Sequence, residues 1–130
     1  QVSCLLTYLL IYLFTYLLTF VLQEGKDYNG AQAYCASGLG EGVVGSLATA
    51  SSTAEHELLS SAAPADGAFI GYKQATGSLE PSGGWAWTST SGYSQNIWAT
   101  NQPDNGQSGA SEDCAVIDSR GAQSNVVDVD

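Results

Sequence analysis

Between Trp85 and Cys114 the chain gathers most of the side chains able to do chemistry. Gln102-Pro103-Asp104-Asn105 and Glu112-Asp113 supply amide and carboxylate oxygens, the ligands that hard divalent cations prefer. All three tryptophans, Trp85, Trp87 and Trp98, precede them, interleaved with small turn-forming residues. Such a stretch suits a rigid aromatic platform carrying a loop of oxygen ligands. Taken alone, Gln102-Pro103-Asp104 reads as a polar turn. Its place between Trp98 and Glu112-Asp113-Cys114 is what raises the metal reading above the turn.

Other chemistries find little support. His56 is the sole histidine, and Cys4, Cys35 and Cys114 form no Cys-x-x-Cys or Cys/His cluster, so a zinc site of ordinary ligands is excluded. No Ser, Cys or Asp is placed to use His56 in a triad, and it is expected to be a solvated surface residue. Acid/base pairs can be drawn among Asp104, Glu112 and Asp113, but no nucleophile–base arrangement supports them, and the chain is not expected to be an enzyme. The net charge is −10, and Lys26, Lys73 and Arg120 are the only basic side chains. Phosphate backbones repel such a surface, which removes nucleic acid as a partner. The same acidity is compatible with cation binding or with simple solubility.

The elements that must hold this loop fit one domain of 130 residues. Leu5 to Leu22 is an uncharged apolar run of membrane-spanning length, with Tyr8, Tyr12, Tyr16 and Phe20 recurring every fourth residue. That spacing aligns the rings on a helix face, and also on one face of a strand, so period alone does not separate the two. A membrane anchor or uncleaved signal segment and packing inside a larger assembly are the leading readings. Burial of the whole run within its own domain ranks last. No Lys or Arg precedes the run to set an orientation.

Glu24-Gly25-Lys26-Asp27 is a turn signal, and Asp27 can cap a helix. Tyr28, Ala31, Gln32 and Cys35 follow helical spacing and should share its core face, with the helix stopping near Gly38-Leu39-Gly40. Ser52-Thr53-Ala54-Glu55 has the form of a capping box before a second helix. Leu58, Leu59, Ala62 and Ala63 would be its apolar face, and Pro64 its end. Ala68 to Tyr72 reads as a buried strand, Lys73 to Gly84 as a Gly/Ser/Pro-rich loop, and Trp85 and Trp87 as one face of a further strand. Core packing is the preferred role of these tryptophans.

In this order the motifs resemble a C-type lectin-like domain over about Leu18 to Asp130. Tyr28 and Cys35 match the family's first helix, Phe69-Ile70-Gly71-Tyr72 its Trp-Ile-Gly-Leu signature, and Gln102-Pro103-Asp104 its galactose-type sugar and calcium motif. The resemblance implies an α+β fold, two helices flanking small antiparallel sheets with a long loop region. It places the first strand at about Leu18 to Gln23, so that residues 1–22 form an anchor or assembly segment and 18–130 the lectin-like domain. It further implies calcium held by Gln102, Asp104, Glu112 and Asp128, with a cis Pro103 aiming the first two. Gln102, Asp104 and Glu112 would also bind the sugar, and Asn105 and Asp113 would stand at an accessory metal site. The function implied is non-catalytic, extracellular, calcium-dependent glycan recognition, weakly of galactose type because no aromatic residue follows in the loop. The alternative is a self-assembling structural protein that uses the fold as a scaffold.

The sequence departs from the family pattern near its end. Val126-Val127-Asp128 stands where Trp-Asn-Asp is expected, so four of five ligand side chains are present and Val127 replaces the amide. Asn125 could supply one only in a different register. The family pairs the helix cysteine with the last cysteine of the domain, and the cysteine after the long loop with one following Trp-Asn-Asp. Partners of Cys35 and Cys114 would then lie beyond Asp130, which implies a missing final strand. If the chain is complete, the N-terminal run with Cys4 is the segment to fill that position, from the same chain or a neighbour.

Overall fold

In the computed structural model, residues 2–8, 17–23, 27–37, 45–89, 97–106, 111–119 and 126–129 are described. The Glu24-Gly25-Lys26 turn, the helix stop at Gly38-Leu39-Gly40 and Asn125 lie outside them, as do residues 9–16 of the apolar run.

The apolar run is where sequence and structure differ most. Val2–Tyr8 forms strand β1 and Leu17–Gln23 forms β2, antiparallel to it from Val2 opposite Gln23 to Tyr8 opposite Leu17. The expected first strand is therefore the second, and a strand precedes it within the same sheet. Membrane-spanning length described the run, but its Thr, Tyr, Phe and Val content favours extended backbone. Among the described residues, no helix is long and apolar enough to cross a membrane.

Helix α1 (Tyr28–Ser37) starts as its cap predicts: Asp27 Oδ1 accepts the Gly30 N–H at 2.7 Å. Gly30 makes this a weak intrinsic helix, so tertiary burial of Tyr28, Ala31 and Cys35 must sustain it. Gln32, assigned to the core face by spacing, is exposed. At i+4 from Tyr28 it lies at the margin of a narrow apolar stripe, and its amide stays in water.

Strand β3 (Ser46–Leu47) pairs with β1, Cys4 opposite Leu47. Helix α2 (Thr53–Ala62) begins at Ser52, whose Oγ accepts the Glu55 N–H. The second arm of the capping box goes one residue back: Glu55 Oε2 accepts the backbone N–H and hydroxyl of Ser51 at 2.8 and 2.6 Å. The helix buries Leu59 and His56, whereas Leu58 and Ala62 are exposed. The core stripe thus runs through His56 and Leu59, spaced i and i+3, and not through the leucine pair.

Strand β4 (Ala68–Gln74) is the sheet's spine. It pairs with β1 in parallel, Val2 opposite Phe69, with β5 (Trp85–Trp87) and with β6 (Cys114–Ile117), and β6 pairs with β7 (Val126–Val129). Lys73 and Gln74 belong to β4, so the composition-marked loop begins two residues later than expected. The strand order is β2-β1-β4-β6-β7, with β3 on β1 and β5 on β4. Two helices on a mostly antiparallel sheet make the fold α+β, as the resemblance implies.

Two buried clusters flank β6 and β7, because alternate residues face opposite sides. Ala115, Ile117 and Val126 join Ile70, Tyr72, Ile97, Ala48, Ala50 and Leu59 on one face. Cys114 joins Tyr28, Ala31, Cys35 and Leu47 on the other, with Val129 packed against them. Asp128 lies opposite Ala115 and so belongs to the first face.

Candidate metal and glycan site

The aromatic platform forms as the spacing predicts. Tyr72 stacks on Trp85 at 5.6 Å between ring centroids and meets Trp87 at 4.8 Å, while Trp85 and Trp98 meet edge to face at 4.7 Å. All three tryptophans are partly buried and pack against the first cluster, which supports the core role. Trp85 Nε1 donates to the Pro81 carbonyl at 2.9 Å, and buried Gln74 Nε2 donates to the Pro81 and Gly83 carbonyls. These bonds fasten the 75–84 loop to the platform.

From that base two segments are delivered to one point. Residues 97–99 are pinned to β7, with the Val126 N–H on the Ile97 carbonyl and the Ala99 N–H on the Val126 carbonyl. Gln102 follows within one turn, its N–H on the Ala99 carbonyl at 3.0 Å, and the Gln102–Pro103 peptide is cis. The second segment is fixed where the Gln74 N–H donates to the Asp113 carbonyl, which sets Glu112 at the head of β6.

The result is a carboxylate cluster. One oxygen each of Asp104, Glu112 and Asp128 lies within 4.8 Å of the others, Asp104 exposed, Glu112 half-buried and Asp128 buried. Asp128 accepts the Asp104 N–H with both oxygens, and its Oδ2 also accepts the Asn105 N–H at 2.8 Å. The Asp128 N–H donates to Gln102 Oε1 at 3.3 Å, which ties the fourth expected ligand to the same strand. Asp104 Oδ1 accepts the Gly106 N–H at 3.0 Å, closing a tight turn. Three anionic groups so close repel one another, and a divalent cation converts that repulsion into attraction. The donor set is all oxygen, matching calcium's preference, so the residues present fit such an ion.

Asn105 and Asp113 are not in this cluster. Asn105 Nδ2 donates to Glu80 Oε2 at 3.0 Å, and the Ser111 hydroxyl bridges Glu80 Oε1 at 3.4 Å and Asp113 Oδ1 at 2.7 Å. Only the Asn105 amide nitrogen is engaged in this way; its Oδ1 is buried and meets no hydrogen-bond partner among the described residues. Val127 lies opposite Val116 on β7, partly exposed and with no oxygen to offer. Residues 107–110, the span expected to be ordered by metal, lie outside the described residues.

Two contributors escaped the sequence reading. Glu80 is the only acid between Asp66 and Asp104, a signal overlooked inside a stretch judged by its Gly/Ser/Pro content. Gly106 has φ +58°, and a Cβ there would stand 2.6 Å from Glu112 Oε1, so glycine is what lets Glu112 reach the cluster. His56 is not the solvated residue expected. It is 6% exposed, its Nε2 meets no hydrogen-bond partner among the described residues, and burial lowers its pKa against a smaller opposing pull from Glu57.

Compared with known families, residues 24–129 match the lectin C-type domain. No curated protein matches the chain. With most of its length matched, the chain belongs to the C-type lectin domain family, whose members are carbohydrate-binding, generally non-catalytic, typically calcium-dependent and usually extracellular or at the cell surface.

Proposed function

We propose that this lectin domain recognises glycans through one calcium ion in an extracellular setting. The convergence of Asp104, Glu112 and Asp128 oxygens within 4.8 Å is the observation that carries the proposal. Gln102, Asp104, Glu112 and Asp128 ligate the ion. Gln102, Asp104 and Glu112 stand nearer the solvent than Asp128 and also hydrogen-bond vicinal sugar hydroxyls at the ion's remaining positions. The Gln-Pro-Asp order favours galactose-type sugars weakly, since no aromatic residue lies in the loop to take the apolar sugar face. Asn105 and Asp113 make an accessory site at most, to which Asn105 would offer its Oδ1, the amide nitrogen being held by Glu80. Calorimetry with calcium, then with galactose and mannose in its presence, tests the reading. Calcium heat in the millimolar range or below supports it, and none at millimolar concentration rejects it.

A second reading, a self-assembling or membrane-contacting protein, is favoured by one observation. Strand β2 is an outer strand of the sheet, and Leu17–Gln23 carries no charge to discourage edge pairing. Sedimentation of the purified protein, with and without liposomes, distinguishes a monomer from a polymer or a bound form.

A further inference from the structure

We infer that strand β1 is bolted to helix α1 by a disulfide between Cys4 and Cys35, a cross-link from outside the matched lectin region to its interior. Cys4 lies opposite Leu47 in the β1–β3 pairing, and directly opposite residues of an antiparallel pair share a face. Leu47 is fully buried in the same cluster as Cys35, which is 0% exposed. The Gly45 N–H donates to the Cys35 carbonyl at 3.2 Å, so the end of α1 is tied to the chain entering β3. The register thus puts position 4 beside Leu47, whose cluster holds Cys35.

Cys114 enters the same cluster from β6. Its thiol lies beside Tyr28, whose hydroxyl is pushed up to about 12 by burial first and by Cys114 second. In the sheet Cys114 pairs with Lys73, whose Nζ stands 5.1 Å over the Tyr28 ring. Cys114 is also two strands from β1 in the order β1-β4-β6.

Forming the bond breaks two S–H bonds and makes one S–S bond. Two electrons and two protons pass to an external disulfide, such as glutathione disulfide, which is reduced to two thiols. Such an oxidant belongs to the extracellular route, yet the pairing itself rests on the geometry of α1, β1 and β3 and not on sugar or calcium binding.

Trypsin offers a direct test, because cleavage after Lys26, Lys73 and Arg120 puts Cys4, Cys35 and Cys114 in three different peptides. The full chain, refolded in a glutathione redox buffer and digested without reduction, should yield residues 1–26 joined to 27–73. Residues 74–120 joined to either, or all three peptides as thiols, overturns the inference. Reduction should lower the melting temperature of the wild type by on the order of 10 °C. Cys114→Ser should keep both the cross-link and that reduction-sensitive shift. Loss of the cross-link in Cys114→Ser also overturns the pairing.

Discussion

Both carboxylate oxygens of Asp128 accept the backbone N–H of Asp104, at 3.1 and 3.0 Å. The buried aspartate therefore holds the loop that carries the exposed one, besides offering an oxygen to the same cluster. The two acids are expected to differ under substitution. Asp104→Ala should abolish calcium-dependent sugar binding and leave the melting temperature of the calcium-free protein within about 2 °C, since only a solvent-exposed side chain is lost. Asp128→Ala should abolish binding too, but it leaves partly buried N–H groups of Asp104 and Asn105 without this acceptor and should cost about 1–3 kcal/mol of stability. Calcium titration and thermal melts of both variants check this, and equal melting temperatures would contradict the latch.

Gly106→Ala tests whether Glu112 reaches the ion by leaning over a bare Cα. The added methyl would sit 2.6 Å from Glu112 Oε1, at a backbone φ of +58° that already disfavours alanine by about 1 kcal/mol. Calcium affinity should fall about tenfold or more as the carboxylate is displaced. Unchanged affinity would place Glu112 outside the calcium shell.

His56 should make the protein acid-sensitive in a window above the carboxylates. Its folded-state pKa is lowered, so below its unfolded value of about 6.5 the unfolded chain takes up the proton first. Stability present at neutral pH is then lost as pH falls through about 6.5, by at most about 1.4 kcal/mol per pH unit until the folded pKa is reached. His56→Gln removes the titration. Melting temperatures compared between pH 7.5 and 5.5 should fall more for the wild type, and equal falls would remove His56 as the cause.

Val127→Asn restores the amide that the family pattern lacks here. Val127 is partly exposed, which leaves an asparagine amide access to water and limits the cost in stability. One oxygen for the ion and one donor for the sugar are worth on the order of 1–3 kcal/mol, so calcium and sugar binding should tighten together by about tenfold. A lower melting temperature with no gain in affinity would instead favour the scaffold role.

Much of the site was legible because it rests on short-range chemistry. Asp27 and Ser52 cap helices through their own side chains, and Trp85 and Trp87 alternate as strand residues must. The chain-distant partners were harder. Gln102, Asp104 and Glu112 were found as a local cluster, but Asp128 was reached only through family likeness, since nothing near it in sequence signals the N–H groups it accepts. Glu80 was hidden for the same reason: its partners Asn105 and Ser111 lie far along the chain. The apolar run left helix and strand open because period and hydropathy suit both, and pairing with Leu47 and Phe69 is a tertiary event. His56 misled because its charged neighbours Glu55 and Glu57 say nothing of the helix face it occupies.

The interior place of β1, with Val2 beside Phe69, also bears on how the protein is made. A ribosome delivers β1 and β2 before β4, and their closeness in sequence lets the two strands pair early. The side of β1 that will receive β4 must then wait until both helices and β3 have emerged. Until that moment an uncharged ribbon presents an open flank to every other nascent chain nearby. Long-range pairing of this kind slows folding and lengthens exposure to aggregation, so yields should rise with holdase chaperones and at low expression rates.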